Sequence, residues 1–144
     1  NDPRRQYPGE TFTLHPGNLD EWSFLPSANL IYKLSKTKET EEETLTNLRL
    51  NFSQTVARPS IRELSDAEFF DYDLNAYVYG NSDLKMVHIN NYDLRYESYF
   101  KSGSSFSVSL FYKDFKNHIE VVGAPLGYTW TNVDDAYATG IELE

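Results

Sequence analysis

The stretch from Asn90 to Phe115 alternates between apolar and polar residues along two arms, which a short glycine-containing segment separates. Because side chains in a β-strand point alternately to opposite faces, each arm is predicted to be a strand with one apolar and one polar face. The two arms therefore predict an antiparallel hairpin. Its apolar face carries Tyr92, Leu94, Tyr96 and Phe100, with Ser98 as an interruption, and then Phe106, Val108, Leu110 and Tyr112.

The joint Lys101-Ser102-Gly103 suits a three-residue loop, in which a type I turn is followed by glycine in the left-handed conformation. This loop predicts a register in which Phe100 lies opposite Ser104. A competing register, shifted by two residues, keeps the same faces but places Asp93 directly opposite Lys113. The favoured register pairs Ser98 with Phe106, Tyr96 with Val108, Leu94 with Leu110, Tyr92 with Tyr112, Glu97 with Ser107 and Arg95 with Ser109.

Two environments suit a sheet with such faces. In a soluble β-sandwich the apolar face meets a second sheet, and in a membrane barrel it meets lipid while the polar face meets a lumen. The hairpin carries full charges deep along its polar face and gathers aromatic residues near both ends of its apolar face, where barrels place aromatic girdles. These features favour a barrel. The alternative is a soluble sandwich that binds carbohydrate or protein through tyrosine-rich loops.

Charge and cysteine content exclude several partners and sites. The 22 acidic and 13 basic residues give a net charge of −9, which argues against nucleic acid because phosphate neutralisation dominates that affinity. The chain has no cysteine, which excludes a disulfide framework and any thiolate metal site. No run approaches the roughly 18 apolar residues of a spanning helix, and no signal peptide opens the chain. If the protein is exported, its beginning is therefore expected to be missing.

Further alternating segments bring the expected total to about five strands, arranged as an all-β antiparallel meander. They lie within Trp22 to Ser35, Asn47 to Arg58 and Tyr128 to Glu144. The charged run from Lys36 to Glu43 predicts a solvated turn. The connections at Lys36 and Lys101 are short, whereas those that begin at Ala57 and Val121 are expected to be longer. Outer-membrane barrels show this asymmetry.

Parity sorts the side chains of these strands onto the two faces of the sheet. One face is expected to carry Leu30, Tyr32, Leu48, Leu50, Leu94, Tyr96, Val108, Leu110, Ile141 and Leu143. The other is expected to carry Lys33, Arg49, Arg95, Glu97, Lys113 and Glu142. Arginine on a lumen-facing side fits a barrel better than a packed sandwich.

The segment from Ala57 to His88 is the longest one without a clear period, and loops of this length usually have a function. Its aromatic side chains are the candidate ligand contacts, because such rings stack on a sugar or bury a peptide. Alternatively, they anchor the protein at the membrane interface or pack the loop itself. The candidates are Phe69, Phe70, Tyr72, Tyr77 and Tyr79.

The same segment contains a weak metal signal, since Asp71, Asp73 and Asn75 have the spacing that opens a calcium-binding loop. The pattern then fails, because Ala76 occupies the position of an expected glycine and Ser82 the position of an expected bidentate glutamate. An acidic, solvated loop is therefore the favoured interpretation, and calcium binding is the alternative.

Catalytic chemistry has little support in this sequence. His15, His88 and His118 are scattered, and no nucleophile elbow, metalloprotease helix or phosphate loop occurs. The paired acids Asp134 and Asp135 are predicted to be turn residues. The chain is therefore expected to be neither an enzyme nor a cofactor-binding protein.

Several segments resemble the barrel strands and turns of TonB-dependent outer-membrane receptors. They are Leu25 to Ser35, Asn47 to Ser65, Asn90 to Glu120 and Thr129 to Glu144, and they follow one another in the family's order. The chain departs from the family at Gly80 to Val87, where the family commonly has two prolines and a glutamate that are absent here. This departure predicts a looser exit from the preceding loop.

The resemblance implies an outer-membrane barrel of roughly 22 strands with an N-terminal plug, which takes up a scarce ligand with energy relayed by TonB. About five strands cannot close such a barrel, so residues 1–144 are expected to be a partial barrel segment without the plug and the remaining strands. The expected partners are outer-membrane lipid, TonB through the absent plug, and a siderophore, cobalamin, oligosaccharide or peptide ligand. An isolated segment is expected to self-associate through its free edges and its apolar stripe.

Overall fold

The computed structural model describes residues 19–36 and 44–144, in which nearly all of the regular secondary structure is β-strand. His15, and all of the charged run Lys36 to Glu43 except its first residue, lie outside the described residues. Within the described ranges no helix is long and apolar enough to cross a membrane. The elements are β1 Ser27–Lys36, β2 Leu45–Ala57, α1 Ile61–Leu64, β3 Glu68–Asp71, β4 Ala76–Tyr79, β5 Val87–Tyr99, β6 Ser105–Ala124 and β7 Gly127–Leu143.

The described residues divide into two compact units. The sheet unit comprises Glu21–Arg58, Met86–His118 and Asn132–Glu144, and the loop unit comprises residues 19–20, Pro59–Lys85 and Ile119–Thr131. The strands pair in the order β1-β2-β5-β6-β7-β4-β3. The first five of these form the predicted antiparallel meander, which is therefore confirmed. The sheet is mixed overall because β4 pairs with β7 in parallel.

The hairpin formed by β5 and β6 has the register that its turn predicts. Phe100 N donates to Ser104 O at 2.9 Å, and Gly103 N donates to Phe100 O at 3.0 Å. Gly103 has φ +87°, the left-handed conformation that favours glycine. Leu94 lies opposite Leu110, and all the other predicted pairs of this hairpin also occur. The competing register is wrong.

The two faces sort by parity, as predicted. The ladders place Leu30 opposite Leu50, Leu50 opposite Leu94, and Leu94 opposite Leu110. Arg49 lies opposite Arg95 on the other side of the sheet. We call the side of Leu94 the apolar face and the side of Arg95 the polar face.

The long connection from Ala57 to His88 contains regular structure that the sequence analysis did not predict. A single helical turn, α1, precedes a short hairpin made of β3 and β4. Each strand of this hairpin has four residues, which is too short to show a period. At the exit of this connection Leu84, Met86 and Val87 are all buried. The expectation that this exit is looser than in the family stays a prediction.

Two predictions about β6 and β7 are corrected by the structure. The connection expected after Val121 is a turn of two residues, because β6 continues to Ala124 and β7 begins at Gly127. Gly123 lies within β6, because a strand interior tolerates glycine at some cost in stability. Asp134 and Asp135 lie within β7 and are exposed, so the charged pair occupies a solvated part of a strand.

Candidate functional site

The hairpin of β3 and β4 divides the predicted ligand-contacting aromatics between its two faces. Phe69 lies opposite Val78, which is fully buried. The Phe69 ring packs on Trp130 with 5.3 Å between ring centroids, and the Arg62 guanidinium lies 3.5 Å above the Phe69 ring. Phe69 therefore contributes to packing inside the loop unit.

The opposite face of the hairpin presents a cluster of aromatic rings, which we call the aromatic tip: Phe70, Tyr72 and Tyr77. The Phe70 ring lies 5.2 Å from the Tyr72 ring and 5.3 Å from the Tyr77 ring, edge-to-face in both cases. Tyr72 is 87% exposed and Tyr77 is 50% exposed. Such a cluster offers ring faces to solvent, and stacking on a sugar ring or a flat ligand needs such faces.

Tyr79 lies at the base of the hairpin, outside the aromatic tip, and is half-buried. Its hydroxyl donates to Glu68 Oε1 at 3.5 Å, and its backbone carbonyl accepts a bond from Thr129 Oγ1 at 3.1 Å. These contacts tie β4 to both β3 and β7. The structure thus brings three of the five predicted contact residues together on one exposed surface.

An acidic side chain in the turn between β3 and β4 makes hydrogen bonds within the turn itself. Asp71 Oδ1 accepts hydrogen bonds from the backbone amides of Asp73 at 2.9 Å and Leu74 at 3.2 Å, which is an Asx-turn. Asn75 takes the left-handed conformation with φ +48°, which asparagine tolerates well. Residues 19–36 and 44–144 contain no group of three or more His, Cys, Asp or Glu side chains that could hold a metal ion. Calcium binding by Asp71, Asp73 and Asn75 stays a prediction from their spacing.

Helix α1 contacts the hairpin through Arg62, whose guanidinium lies over the Phe69 ring, and the helix begins with a capping box. Ser60 Oγ accepts from Glu63 N at 3.3 Å, while the Glu63 carboxylate accepts from Ser60 N at 2.8 Å. This reciprocal arrangement satisfies two amide groups that a helix start leaves unpaired. The sequence analysis missed α1, although the Ser-x-x-Glu spacing after Pro59 was a signal for it.

Gly80 and Asn81 connect the hairpin to α1 and to β7. Gly80 N donates to Ala67 O, and a Cβ on Gly80 would lie 1.6 Å from Ser65 O. Asn81 N donates to Glu63 O at 2.6 Å, and Asn81 Nδ2 donates to Trp130 O at 2.9 Å. Gly80 and Asn81 therefore both have structural roles in the loop unit. No pattern in the sequence indicated the roles of Arg62 and Trp130.

The polar face of the sheet unit carries a connected set of charges. Arg49 and Arg95 lie directly opposite each other, and Glu97 lies between them with its side chain almost fully buried. Glu97 Oε1 accepts from Arg49 Nε at 2.5 Å, and Glu97 Oε2 lies 3.4 Å from Arg95 Nε. Asn47 Nδ2 donates to Glu97 Oε1 at 3.1 Å, and Arg95 Nη2 donates to Glu144 Oε2 at 2.6 Å. One nearly buried carboxylate thus contacts both facing cations, and Glu144 supplies a second negative charge beside Arg95.

A groove of about 410 Å³ runs along this polar face. Its charged lining side chains are Arg49, Asp93, Arg95, Lys113 and Glu142, which places both signs of charge on one concave surface. Arg49, Arg95, Lys113 and Glu142 were predicted to share this face, and the prediction is confirmed. Asp93 accepts a hydrogen bond from Asn51 Nδ2 at 3.0 Å. The groove is therefore a polar, solvent-accessible surface that suits polar solutes.

On the apolar face the large hydrophobic side chains are exposed, whereas the core of a folded soluble protein buries such side chains. Leu30 is 62% exposed, Leu110 is 44% exposed and Ile141 is 68% exposed. Glu97 on the polar face is only 3% exposed. The sheet unit therefore exposes its hydrocarbon and buries a carboxylate, as expected for a surface that meets lipid on one side.

Comparison with known protein families adds an independent observation. The family model described as TonB dependent receptor-like, beta-barrel matches residues 3–144, which is nearly the whole chain. The search of curated proteins and the search of solved structures give no match.

Proposed function

Because the chain belongs to the TonB-dependent receptor family of outer-membrane β-barrels, we propose that residues 1–144 form a segment of the wall of a receptor that takes up a scarce nutrient. In this proposal the plug and the other barrel strands come from elsewhere in the receptor, because five long strands cannot close a barrel of roughly 22. TonB acts through the plug. The segment works in transport and carries no catalytic step.

The observation that supports this proposal best is the inverted exposure of the two faces. The apolar face exposes leucine, isoleucine and tyrosine across the meander, and the polar face carries an ordered set of ion pairs. In a membrane barrel the first face contacts the acyl chains of outer-membrane lipid, and the second lines the lumen. A soluble sandwich would instead need a second sheet over the apolar face.

Site-directed spin labelling tests this orientation, since the chain has no cysteine of its own. Leu110→Cys places a label on the apolar face, and Ser109→Cys places one on the polar face at the next residue. In the membrane-inserted receptor, the label at position 110 is expected to collide mainly with O₂, and the label at position 109 mainly with a water-soluble nickel chelate. Low collision rates with both reagents at position 110 would indicate a covered core, as in a sandwich, and would contradict the proposal.

The aromatic tip is the part of the chain that we propose contacts the nutrient before uptake. Three exposed rings on a hairpin that its neighbours hold in place suit flat or ring-shaped ligand groups. Siderophores, cobalamin, oligosaccharides and peptides with aromatic side chains all contain such groups. These four classes therefore form the panel to test. The contacts that α1, Gly80 and Asn81 make with the hairpin support this role, because a surface that is already ordered loses less conformational entropy when it binds a ligand.

Removal of one ring from the aromatic tip tests this contact. Tyr72→Ala is expected to weaken binding of the cognate ligand roughly 2- to 10-fold, which corresponds to one lost stacking interaction. The measurement is uptake or binding of each ligand class by cells that carry the receptor. Tyr137→Ala is the matched control, because Tyr137 is also highly exposed but lies on the apolar face. Equal binding by the Tyr72→Ala variant and the unmodified receptor, for a ligand that the receptor does take up, would exclude this contact.

A further inference from the structure

The hairpin of β3 and β4 places a carboxylate near an aromatic ring on each of its two faces. Side chains that share a face of a strand pair come from directly opposite residues and from residues two positions apart. Phe69 and Asp71 therefore share one face of the hairpin. Glu68 and Phe70 share the other face, where Tyr77 lies directly opposite Phe70. The second face is the one that carries the aromatic tip.

On the face of Phe69, a cation from the chain itself occupies this arrangement. The Arg62 guanidinium of α1 lies 3.5 Å from the centroid of the Phe69 ring, and Arg62 Nη2 lies 4.0 Å from Asp71 Oδ2. A ring face attracts a cation through its π-system, and a carboxylate nearby adds a second attraction. The ring and the carboxylate on this face are therefore already matched with a positive charge.

The opposite face offers more rings and the same sign of charge. Glu68 is exposed and lies two residues before Phe70, which corresponds to about 6.6 Å along the strand. Asp73 follows Tyr72 in the turn and is also exposed. The rings of the aromatic tip meet at interplanar angles of 80° and 78°, so their faces point in different directions. Rings at such angles can contact a small group from more than one side.

In the described part of the chain, no cation is paired with the rings and acids around the aromatic tip. Within residues 19–36 and 44–144, no lysine or arginine lies over the three rings or forms an ion pair with Glu68 or Asp73. The surrounding segment Pro59–Lys85 has six acidic and two basic residues, so its field attracts cations and repels anions. This face therefore combines rings with acids, as the opposite face does, but without a paired cation.

We infer that the aromatic tip, together with Glu68, binds an organic cation, namely an ammonium or guanidinium group that the nutrient carries. The rings attract a cation that lies within about 6 Å of a ring centroid, and Glu68 supplies the opposite charge. Basic side chains of a peptide and free amines of an amino sugar both present such groups. The inference rests on the proposed contact between the aromatic tip and the nutrient. It disfavours ligands that are rich in carboxylate or phosphate.

Probes that differ only in charge test this inference. One pair is a lysine pentapeptide and the same peptide with acetylated side chains, and the other pair is a glucosamine pentamer and its N-acetylated form. Titration calorimetry measures the binding of each probe to the membrane-inserted receptor. We expect the charged member of at least one pair to bind roughly 10-fold more tightly than its acetylated counterpart. Binding of one charged probe alone supports the inference and identifies the source of the cation as peptide or sugar.

Variants separate the aromatic tip from the acidic surface as a whole. Tyr72→Leu keeps an apolar side chain but removes the ring, and it is expected to weaken binding of the charged probe roughly 2- to 5-fold, whereas Tyr72→Phe retains most of the affinity. Glu68→Gln is expected to weaken binding about 2- to 5-fold. Glu120→Gln is the matched control, because it removes an exposed acid of the loop unit outside the hairpin. It is expected to have little effect.

The outcomes distinguish this inference from the proposed contact. Equal binding of charged and acetylated probes, with both weakened by Tyr72→Ala, would leave the contact in place and overturn the inference of a cation. Equal losses in Glu68→Gln and Glu120→Gln would show that only the overall negative charge attracts the probe, and would also overturn it. Absence of binding by both charged probes would overturn it as well. Uptake of the nutrient that does not respond to Tyr72→Ala would contradict the proposed contact itself.

Discussion

Glu97 is the residue that allows two arginines to face each other on the polar face. The ladder places Arg49 directly opposite Arg95, and like charges in that position destabilise a sheet. Glu97 contacts both guanidinium groups from a nearly buried position, while Arg49 and Arg95 are each more than one-third exposed. Glu97 therefore offsets much of the repulsion between these two arginines, together with the Glu144 carboxylate that pairs with Arg95.

The variant Glu97→Gln removes this charge and keeps nearly the same shape. We expect it to destabilise the sheet unit by on the order of 1–2 kcal/mol, which is less than for a fully buried ion pair because water partly screens both arginines. Thermal or urea unfolding of the micelle-bound chain at neutral pH measures the effect. Glu142→Gln is the matched control on the same face, since Glu142 is exposed and lies across from no like-charged pair. An equal loss in both variants would contradict the specific role of Glu97.

Gly80 is a residue whose lack of a side chain is required by its surroundings. In Gly80→Ala the new Cβ would lie 1.6 Å from the backbone oxygen of Ser65, so the backbone must move. We expect a loss of more than about 2 kcal/mol in the loop unit, together with loss of the Asn81 bond to Glu63 O. Limited proteolysis between Pro59 and Lys85 detects the opening. Gly123→Ala is the control, because its Cβ would meet nothing within 4 Å; comparable cleavage of both variants would disprove the close-approach argument.

At the level of the elements, the hairpin of β5 and β6 depends on the conformation of its turn. Gly103 has φ +87° and open space around its Cβ position, so any effect of a side chain there comes from the backbone conformation alone. We expect Gly103→Ala to lower stability by about 1 kcal/mol and Gly103→Asn to lower it less, since asparagine tolerates left-handed backbone. The unfolding midpoint of the micelle-bound chain gives the comparison. An alanine variant as stable as the asparagine variant would show that the turn adopts another conformation.

The same elements show which parts of the fold the sequence could predict and why it could not predict the others. Long strands such as β5 and β6 can be predicted because apolar and polar residues alternate along many positions. The Lys101-Ser102-Gly103 turn then fixes their register. The elements of the loop unit are one turn of helix and two strands of four residues, which give no period. The parallel pairing of β4 with β7 joins distant parts of the chain, and no local pattern encodes it. The aromatic residues of the aromatic tip were found by composition, but the inward packing of Phe69 required the structure.

For the molecule as a whole, the exposed apolar face and the edges of the sheet govern behaviour in solution. We expect the isolated chain to associate with other copies in the absence of detergent, because in the proposed receptor lipid would cover the apolar face and neighbouring strands would pair with the edges. Detergent above its critical micelle concentration is expected to reduce the association. Size-exclusion chromatography with light scattering, with and without detergent, makes the comparison. A stable detergent-free monomer would show that the chain covers its apolar face in some other way.

Two side-chain hydrogen bonds within the loop unit, between β4 or the residues after it and the start of β7, also bear on the order in which the polypeptide acquires its structure. Asn81 reaches Trp130 O across 49 residues of sequence, and Thr129 reaches Tyr79 O across 50. Contacts between such distant parts of a chain form slowly, because the intervening loop must first be closed. Synthesis and export deliver Phe69 and Tyr77 well before Trp130 emerges. We therefore expect the aromatic tip, which we propose contacts the nutrient, to be fully formed only after β7 has folded. The ability to bind ligand would then appear late in folding.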